Sequence, residues 1–94
     1  MRAIPQHSII ARHKGYFFSA GAMRFFKSRI ADYGFQNEKT EIIYFVTSEK
    51  NGNYPRKYTI RALLPDGKID TVSAFQEYNT SATANRHAEK LAKS

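Results

Sequence analysis

The fold is decided by residues 41–75, which read EIIYFVTSEKNGNYPRKYTIRALLPDGKIDTVSAF. Three runs in this stretch, residues 42–47, 56–64 and 68–73, are rich in β-branched and aromatic side chains or alternate polar with apolar ones, as strands do. Asn51-Gly52-Asn53 and Pro65-Asp66-Gly67 separate these runs. Glycine and asparagine accept a positive φ at little cost and proline fixes φ, so both segments predict chain reversals. The stretch therefore predicts a three-stranded antiparallel meander.

The central run of the meander has two chemically different faces. Successive side chains of a strand point to opposite sides, so every second residue shares a face. The face that we expect to meet the core carries Tyr58, Ile60, Ala62 and Leu64. The opposite face carries Lys57 and Arg61, and Arg56 stands at the start of the run. The alternation thus predicts an open sheet face with several cations.

Helical patterns flank the meander on both sides. Ser19 is a plausible N-cap for a short helix over residues 20–26, whose apolar stripe contains Ala22, Phe25 and Phe26. After the meander, residues 79–81 offer three N-cap candidates for a helix over residues 82–93. The apolar face of this second helix consists of Ala84, Ala88, Leu91 and Ala92. We expect Leu91 to be buried with Tyr58, Ile60 and Phe75.

Residues 27–30 alternate charged and apolar side chains and, with Tyr33 and Phe35, predict a further strand that is interrupted near Asp32 or Gly34. The predicted fold class is therefore α+β. It comprises an antiparallel meander of three to four strands, a short N-terminal helix and a C-terminal helix packed on one face. A chain of 94 residues is long enough for one such domain with a modest core.

The positive charge is concentrated in the first third of the chain. The formal net charge is +7, and residues 1–30 contain six basic and no acidic side chains. Such an excess favours nucleic acid, an anionic membrane or an acidic protein as the partner. Residues 1–14 predict either a mobile basic arm or a short edge strand, and residues 15–94 predict a single α+β domain.

Several kinds of chemistry have no support in the sequence. Without cysteine there is no disulfide and no thiolate, and His7, His13 and His87 have no metal-site spacing. Phosphate-binding glycine loops, nucleophile elbows and general acid–base constellations are absent as well. We therefore expect a protein that is not an enzyme and needs neither metal nor cofactor. With no long apolar run, it is expected to be cytoplasmic, with no membrane partner.

Residues 26–29, 44–49, 56–61 and 75–78, followed by an alanine-rich helix, resemble small uncharacterised proteins of phages and mobile elements. The resemblance covers about residues 16–92. Because such proteins include inhibitors of bacterial defence systems, it implies an anti-defence role as one expectation.

Residues 42–92 also resemble a second group, the DNA-binding domains of phage integrase arms and plant ethylene-response factors, in which a three-stranded sheet precedes a helix. That resemblance implies that Arg56, Lys57 and Arg61 contact DNA in the major groove. The order helix, three strands, helix is also similar to double-stranded-RNA-binding domains, although Ala82-Thr83-Ala84 stands where that family has paired lysines.

Together these observations favour non-catalytic nucleic-acid binding, to the phosphate backbone of DNA or RNA. The alternative is a protein-binding inhibitor of anti-CRISPR or anti-restriction type, whose partner is an acidic or nucleic-acid-binding protein. The candidate nucleic-acid-binding residues are Arg12, Lys14, Arg24, Lys27, Arg29, Lys50, Arg56, Lys57 and Arg61.

Overall fold

The structure is a computed structural model that describes residues 1–15, 17–18 and 28–94. Its strands are β1 (Arg2–Pro5), β2 (Arg29–Ile30), β3 (Tyr33–Gln36), β4 (Ile43–Glu49), β5 (Lys57–Leu63) and β6 (Ile69–Thr71). Its helices are α1 (Gln6–Arg12) and α2 (Ser81–Ala92).

The six strands of the described residues belong to one antiparallel sheet. Its order is β1-β3-β4-β5-β6, and β2 pairs with β4 beside β3. The predicted meander is confirmed as β4, β5 and β6. The interrupted strand of the prediction is present as β2 and β3, and β1 adds an edge strand, so the sheet has more strands than the three or four expected.

The two predicted chain reversals have the backbone conformations that their residues favour. Gly52 has φ 58° and Gly67 has φ 93°, a region that side-chain-bearing residues adopt at a cost. In the second reversal the Asp66 carboxylate accepts a hydrogen bond from the Lys68 amide at 3.0 Å. The reversals bring β4, β5 and β6 side by side in the register that the meander requires.

The C-terminal helix α2 packs on one face of the sheet, as predicted. It begins after Thr80, whose hydroxyl accepts a hydrogen bond from the Thr83 amide. Its buried face consists of alanines only, Ala84, Ala88 and Ala92, and small side chains let a helix lie close to a sheet. They pack with Phe35, Val46 and Ile60, and Tyr58 and Leu91 are half-buried at the margin of this cluster.

Phe75 does not join this core, contrary to the prediction. It is 47% exposed, because residues 72–78 leave the sheet before α2 begins and Phe75 lies over the opposite side of β5, near Arg61. Tyr78 makes the connection back to the sheet through a bridge to Tyr58. Burial raises the pKa of the Tyr78 hydroxyl, and the carboxylate of Glu77 raises it further.

The opposite face of the sheet is covered as well, which corrects the expectation of an open face. Ile4 of β1 and Ile9 of α1 are buried against Phe45 and Leu63 of the sheet, and Phe18 packs at the edge of this second core. The segment of residues 1–14 contributes the edge strand β1 and the short helix α1, and Ile4 and Ile9 pack in the same core as side chains of β4 and β5.

The short N-terminal helix in the described part of the chain is α1, which precedes the predicted helix at residues 20–26. Those seven residues lie outside the described ranges. Within the described ranges, no helix is both long enough and apolar enough to cross a membrane.

Candidate nucleic-acid interface

Arg61 was expected on an open sheet face, but the structure shields most of its side chain from solvent. Its side chain is 11% exposed and its guanidinium Nη2 lies 2.8 Å from Oε1 of Glu49, which is 1% exposed. The two residues belong to adjacent strands, and both point to the face that β1 and α1 cover. Arg61 is therefore one half of an internal ion pair and is removed from the candidate interface.

Threonine hydroxyls complete the surroundings of this ion pair. Arg61 Nε donates to Oγ1 of Thr47 at 3.0 Å, and Nη1 donates to the hydroxyl of Thr71. Glu49 in turn accepts from Thr47 at 2.9 Å and from Thr59 at 3.3 Å. A buried charge is tolerated when it is paired and hydrogen-bonded, and both conditions hold here.

Two aromatic rings close the site from the solvent side. The guanidinium carbon of Arg61 lies 5.3 Å from the ring centre of Phe17 and 5.8 Å from that of Phe75, within cation–π range. This placement explains why Phe75 is away from the α2 core. The surroundings of Arg61 are those of a structural ion pair.

Lys57, the second cation of the expected sheet-face pair, is half-buried and its ammonium group donates a hydrogen bond to the side chain of Asn79. The side chain thereby ties the start of β5 to the segment before α2. With Arg61 internal and Lys57 engaged in this contact, the cations of the central strand do not form an open row.

Three other predicted residues come together at one end of the sheet. Arg29, Lys50 and Arg56 line a shallow, open cavity of about 550 Å³, together with the turn residues Asn53, Tyr54 and Pro55. We call this site the basic cleft and define it by those six residues. It lies where β4 ends and β5 begins, beyond the polar end of the sheet that carries Glu49.

Strand pairing explains how residues so distant in sequence meet. Arg29 of β2 is the direct partner of Ser48 of β4, so it stands beside the end of β4 from which Lys50 follows. On the other side of β4, Arg56 Nη1 donates hydrogen bonds to the hydroxyl of Ser48 at 2.9 Å and to its carbonyl oxygen at 3.3 Å. Ser48 is thus paired with Arg29 and hydrogen-bonded to Arg56, and Lys50 follows it two residues later.

No ion pair among the described residues offsets the charge of Arg29 or of Lys50 in the basic cleft. In the described part of the chain, ion pairs join Met1 with Glu38, Arg61 with Glu49 and Lys93 with Glu89, and neither Arg29 nor Lys50 takes part in them. The carboxylate next to Lys50 in sequence is Glu49, which is directed inward to Arg61. A cleft lined by like charges attracts an anionic partner.

The remaining predicted residues lie elsewhere. Arg12, at the end of α1, lines a mixed-charge cavity with Arg2, Glu38 and Glu41 at the opposite end of the sheet. Lys14 is exposed, and its amide donates a 2.8 Å hydrogen bond to the carbonyl of Gly67. Arg24 and Lys27 fall outside the described residues. The structure therefore unites three of the nine predicted residues in one site.

Tyr54 is the residue of the basic cleft that the sequence analysis missed. Its side chain is 72% exposed, and it stands between Asn53 and Pro55 in the reversal that leads to Arg56. An aromatic residue within a turn, followed at once by Pro-Arg-Lys, was the signal available in the sequence. A chain reversal alone gives the Tyr54 side chain no role, so only its position beside Arg29, Lys50 and Arg56 makes it a candidate.

A separate slot adjoins the basic cleft and shares Arg29 with it. This slot has a volume of about 90 Å³ and is lined mainly by apolar side chains from β2, β4 and β5, with two serines at its edge. Within the described residues, no group of three or more His, Cys, Asp or Glu side chains is placed to hold a metal ion.

In the described residues, the fold is α+β, with an antiparallel sheet, a helix packed on each face and the basic cleft at one end. Residues 5–89 match a family described as a family of unknown function, DUF7447, and the chain belongs to that family. Searches of the curated proteins and of the solved structures found no significant match.

Proposed function

We propose that this protein is a non-catalytic nucleic-acid-binding protein and that the basic cleft is its contact site. The observation that carries the proposal is the convergence of Arg29, Lys50 and Arg56 around one exposed cavity that also presents an aromatic ring. Arginine and lysine side chains bind phosphate oxygens through charge-assisted hydrogen bonds. The chain's net charge of +7 supports the same class of partner, because it draws polyanions toward the surface.

The expected contacts are with the phosphate backbone rather than with base edges in a groove. The cleft lies at the end of the sheet, and its cations come from strand termini and a turn, so no row of side chains follows a strand into a major groove. Phosphate contacts position a protein without reading sequence. We therefore propose binding with little sequence preference. The resemblance to phage and mobile-element proteins supports carriage on such an element as part of this proposal.

The first prediction concerns a cleft variant that combines Arg29→Gln with Lys50→Gln. Both side chains are exposed, so the fold should be retained. Each lost phosphate contact removes one released counterion, so the slope of log affinity against log salt should become shallower by about 1–2. Fluorescence anisotropy with a labelled oligonucleotide, over about 50–200 mM salt, measures that slope.

The matched control combines Lys39→Gln with Lys68→Gln. These lysines are also exposed, and replacing them lowers the net charge by the same amount. They lie beside the turns at the far end of the sheet, away from the basic cleft. The control should keep the slope of the unmodified protein. Equal slopes for the two variants, or no binding by the unmodified protein at low salt, would reject the proposal; the second result would favour the protein-binding inhibitor.

A further inference from the structure

We propose that the basic cleft binds single-stranded nucleic acid and that Tyr54 stacks on an unpaired base; this inference rests on the proposed function and assigns its substrate class. Proteins that bind single strands combine a cationic groove with aromatic side chains on which bases stack. Duplex binding through phosphates requires cations alone. The presence of an aromatic ring among the three cations of the cleft is therefore the feature that distinguishes the two substrates.

The exposure of Tyr54 is the first observation that supports stacking. Tyr54 is 72% exposed, more than the other exposed large apolar or aromatic residues of the described ranges, among which Tyr33 follows at 51%. Single exposed aromatic residues are common on surfaces, but this one shares a cavity with Arg29, Lys50 and Arg56. A nucleotide whose phosphate meets those cations would have its base within the same cavity.

The backbone around Tyr54 is constrained, which favours a fixed platform over a mobile side chain. The Tyr54 amide donates a 3.1 Å hydrogen bond to the carbonyl of Asn51, closing the turn. Pro55 follows directly, and proline restricts the conformation of the residue before it. Beyond the proline, Arg56 is anchored to Ser48 by two hydrogen bonds. Ordering the turn in advance lowers the entropic cost of binding.

The neighbouring slot explains why the base is assigned to Tyr54 instead of to an internal pocket. The slot of about 90 Å³ is lined by Tyr58 and Val46 and opens beside Arg29. A cavity of about 150 Å³ holds a benzene ring, so this slot is too small for a whole nucleobase. An exposed ring has no such limit, and it accepts any base because every base has a π-face.

The test compares Tyr54→Ala, Tyr54→Phe and Tyr33→Ala in anisotropy titrations at constant low salt. The probes are a single strand of about 16 nucleotides, a duplex of the same length and a strand of the same length without bases. This length is within the range of site sizes of known single-strand binders. Tyr33→Ala is the matched control, because Tyr33 is an exposed tyrosine on β3 whose ring contacts Phe35, outside the basic cleft. Thermal unfolding verifies that each variant is folded.

Tyr54→Ala should weaken binding to the single strand by roughly 5- to 150-fold, as expected for the loss of one stacked base. Tyr54→Phe keeps the ring and should retain the affinity, and Tyr33→Ala should not change it. The strand without bases should bind weakly, and Tyr54→Ala should leave that binding unchanged because no base remains to stack.

Two outcomes would overturn this inference while leaving the proposed function intact. One is that Tyr54→Ala binds the single strand as tightly as the unmodified protein does, while the variant with Arg29→Gln and Lys50→Gln binds it more weakly. The other is tighter binding to the duplex than to the single strand. Failure of the unmodified protein to bind any of the three probes would reject the proposed function itself, so the two failures are distinguishable.

Discussion

Arg61 and Glu49 lie on adjacent strands in the interior, and each depends on the other. The guanidinium group donates to the carboxylate at 2.8 Å, and Thr47, Thr59 and Thr71 complete the hydrogen bonding. Removing one partner of a buried pair leaves a charge without compensation, whereas removing both is far less costly. At the scale of single residues, this pair should therefore matter to stability more than to binding.

We expect Arg61→Met to lower the free energy of unfolding by about 3–5 kcal/mol, because Glu49 would then be buried without a counter-charge. Lys57→Met is the matched control, since Lys57 is a half-buried cation of the same strand and should cost less than about 1 kcal/mol. Urea denaturation measures both. Combining Arg61→Met with Glu49→Leu should recover much of the loss. Equal losses of stability in Arg61→Met and Lys57→Met would show that the ion pair of Arg61 is not internal.

At the scale of elements, the close approach of α2 to the sheet depends on alanine. Ala84 and Ala88 are completely buried and Ala92 is 3% exposed, and all three pack on the side of the sheet that carries Phe35, Val46 and Ile60. No larger side chain of α2 is buried. The helix therefore lies as near to β4 and β5 as its backbone allows, and it has little room for added atoms.

Ala88→Leu should destabilise the protein by about 1–3 kcal/mol, since overpacking a filled interior forces side chains and backbone to shift. Ala82→Leu is the matched control on the same helix, at an exposed position of its first turn, and should change stability by less than about 0.5 kcal/mol. Thermal or urea denaturation compares the two. Similar midpoints for both variants would show that α2 is not docked through its alanines.

At the scale of the whole molecule, both faces of the sheet are covered by segments from the two ends of the described chain. The α2 helix covers one face, and α1 packs on the other, where Ile9 meets Ile4 of the edge strand β1. The basic cleft is left at one end of the sheet, beyond these covers.

Deleting residues 1–12 should abolish the cooperative unfolding transition. Burial of one large aliphatic side chain contributes about 1.5–3 kcal/mol, so losing Ile4 and Ile9 and exposing Phe45 removes much of the 5–15 kcal/mol that is roughly typical of a domain. A variant with Arg2→Gln and Arg12→Gln removes both arginine charges of the segment but keeps its apolar residues, and it should unfold cooperatively. A deletion variant with an unchanged midpoint would restore the mobile-arm interpretation.

The local sequence was sufficient for the meander, its two reversals and the C-terminal helix. Alternation of side chains over residues 56–64, the glycines at positions 52 and 67 and the alanine spacing of α2 are local properties, and each reflects conformational preferences of a few neighbouring residues. The same reading placed Arg29, Lys50 and Arg56 among the candidate residues, because all three are basic.

Only the tertiary structure decided which surface remains open and which cations share it. Packing of Ile9 of α1 on the sheet and of the Phe17 and Phe75 rings near Arg61 covers the face of Arg61, and the pairing of β2 with β4 brings Arg29 beside the end of β4, from which Lys50 follows. Such contacts between distant segments depend on the register of the whole sheet, and alternation within one strand cannot fix it. The sequence determined the strands of the meander, its turns, the C-terminal helix and the number of charges, whereas long-range pairing determined that Arg61 lies in an internal ion pair and that the basic cleft exists.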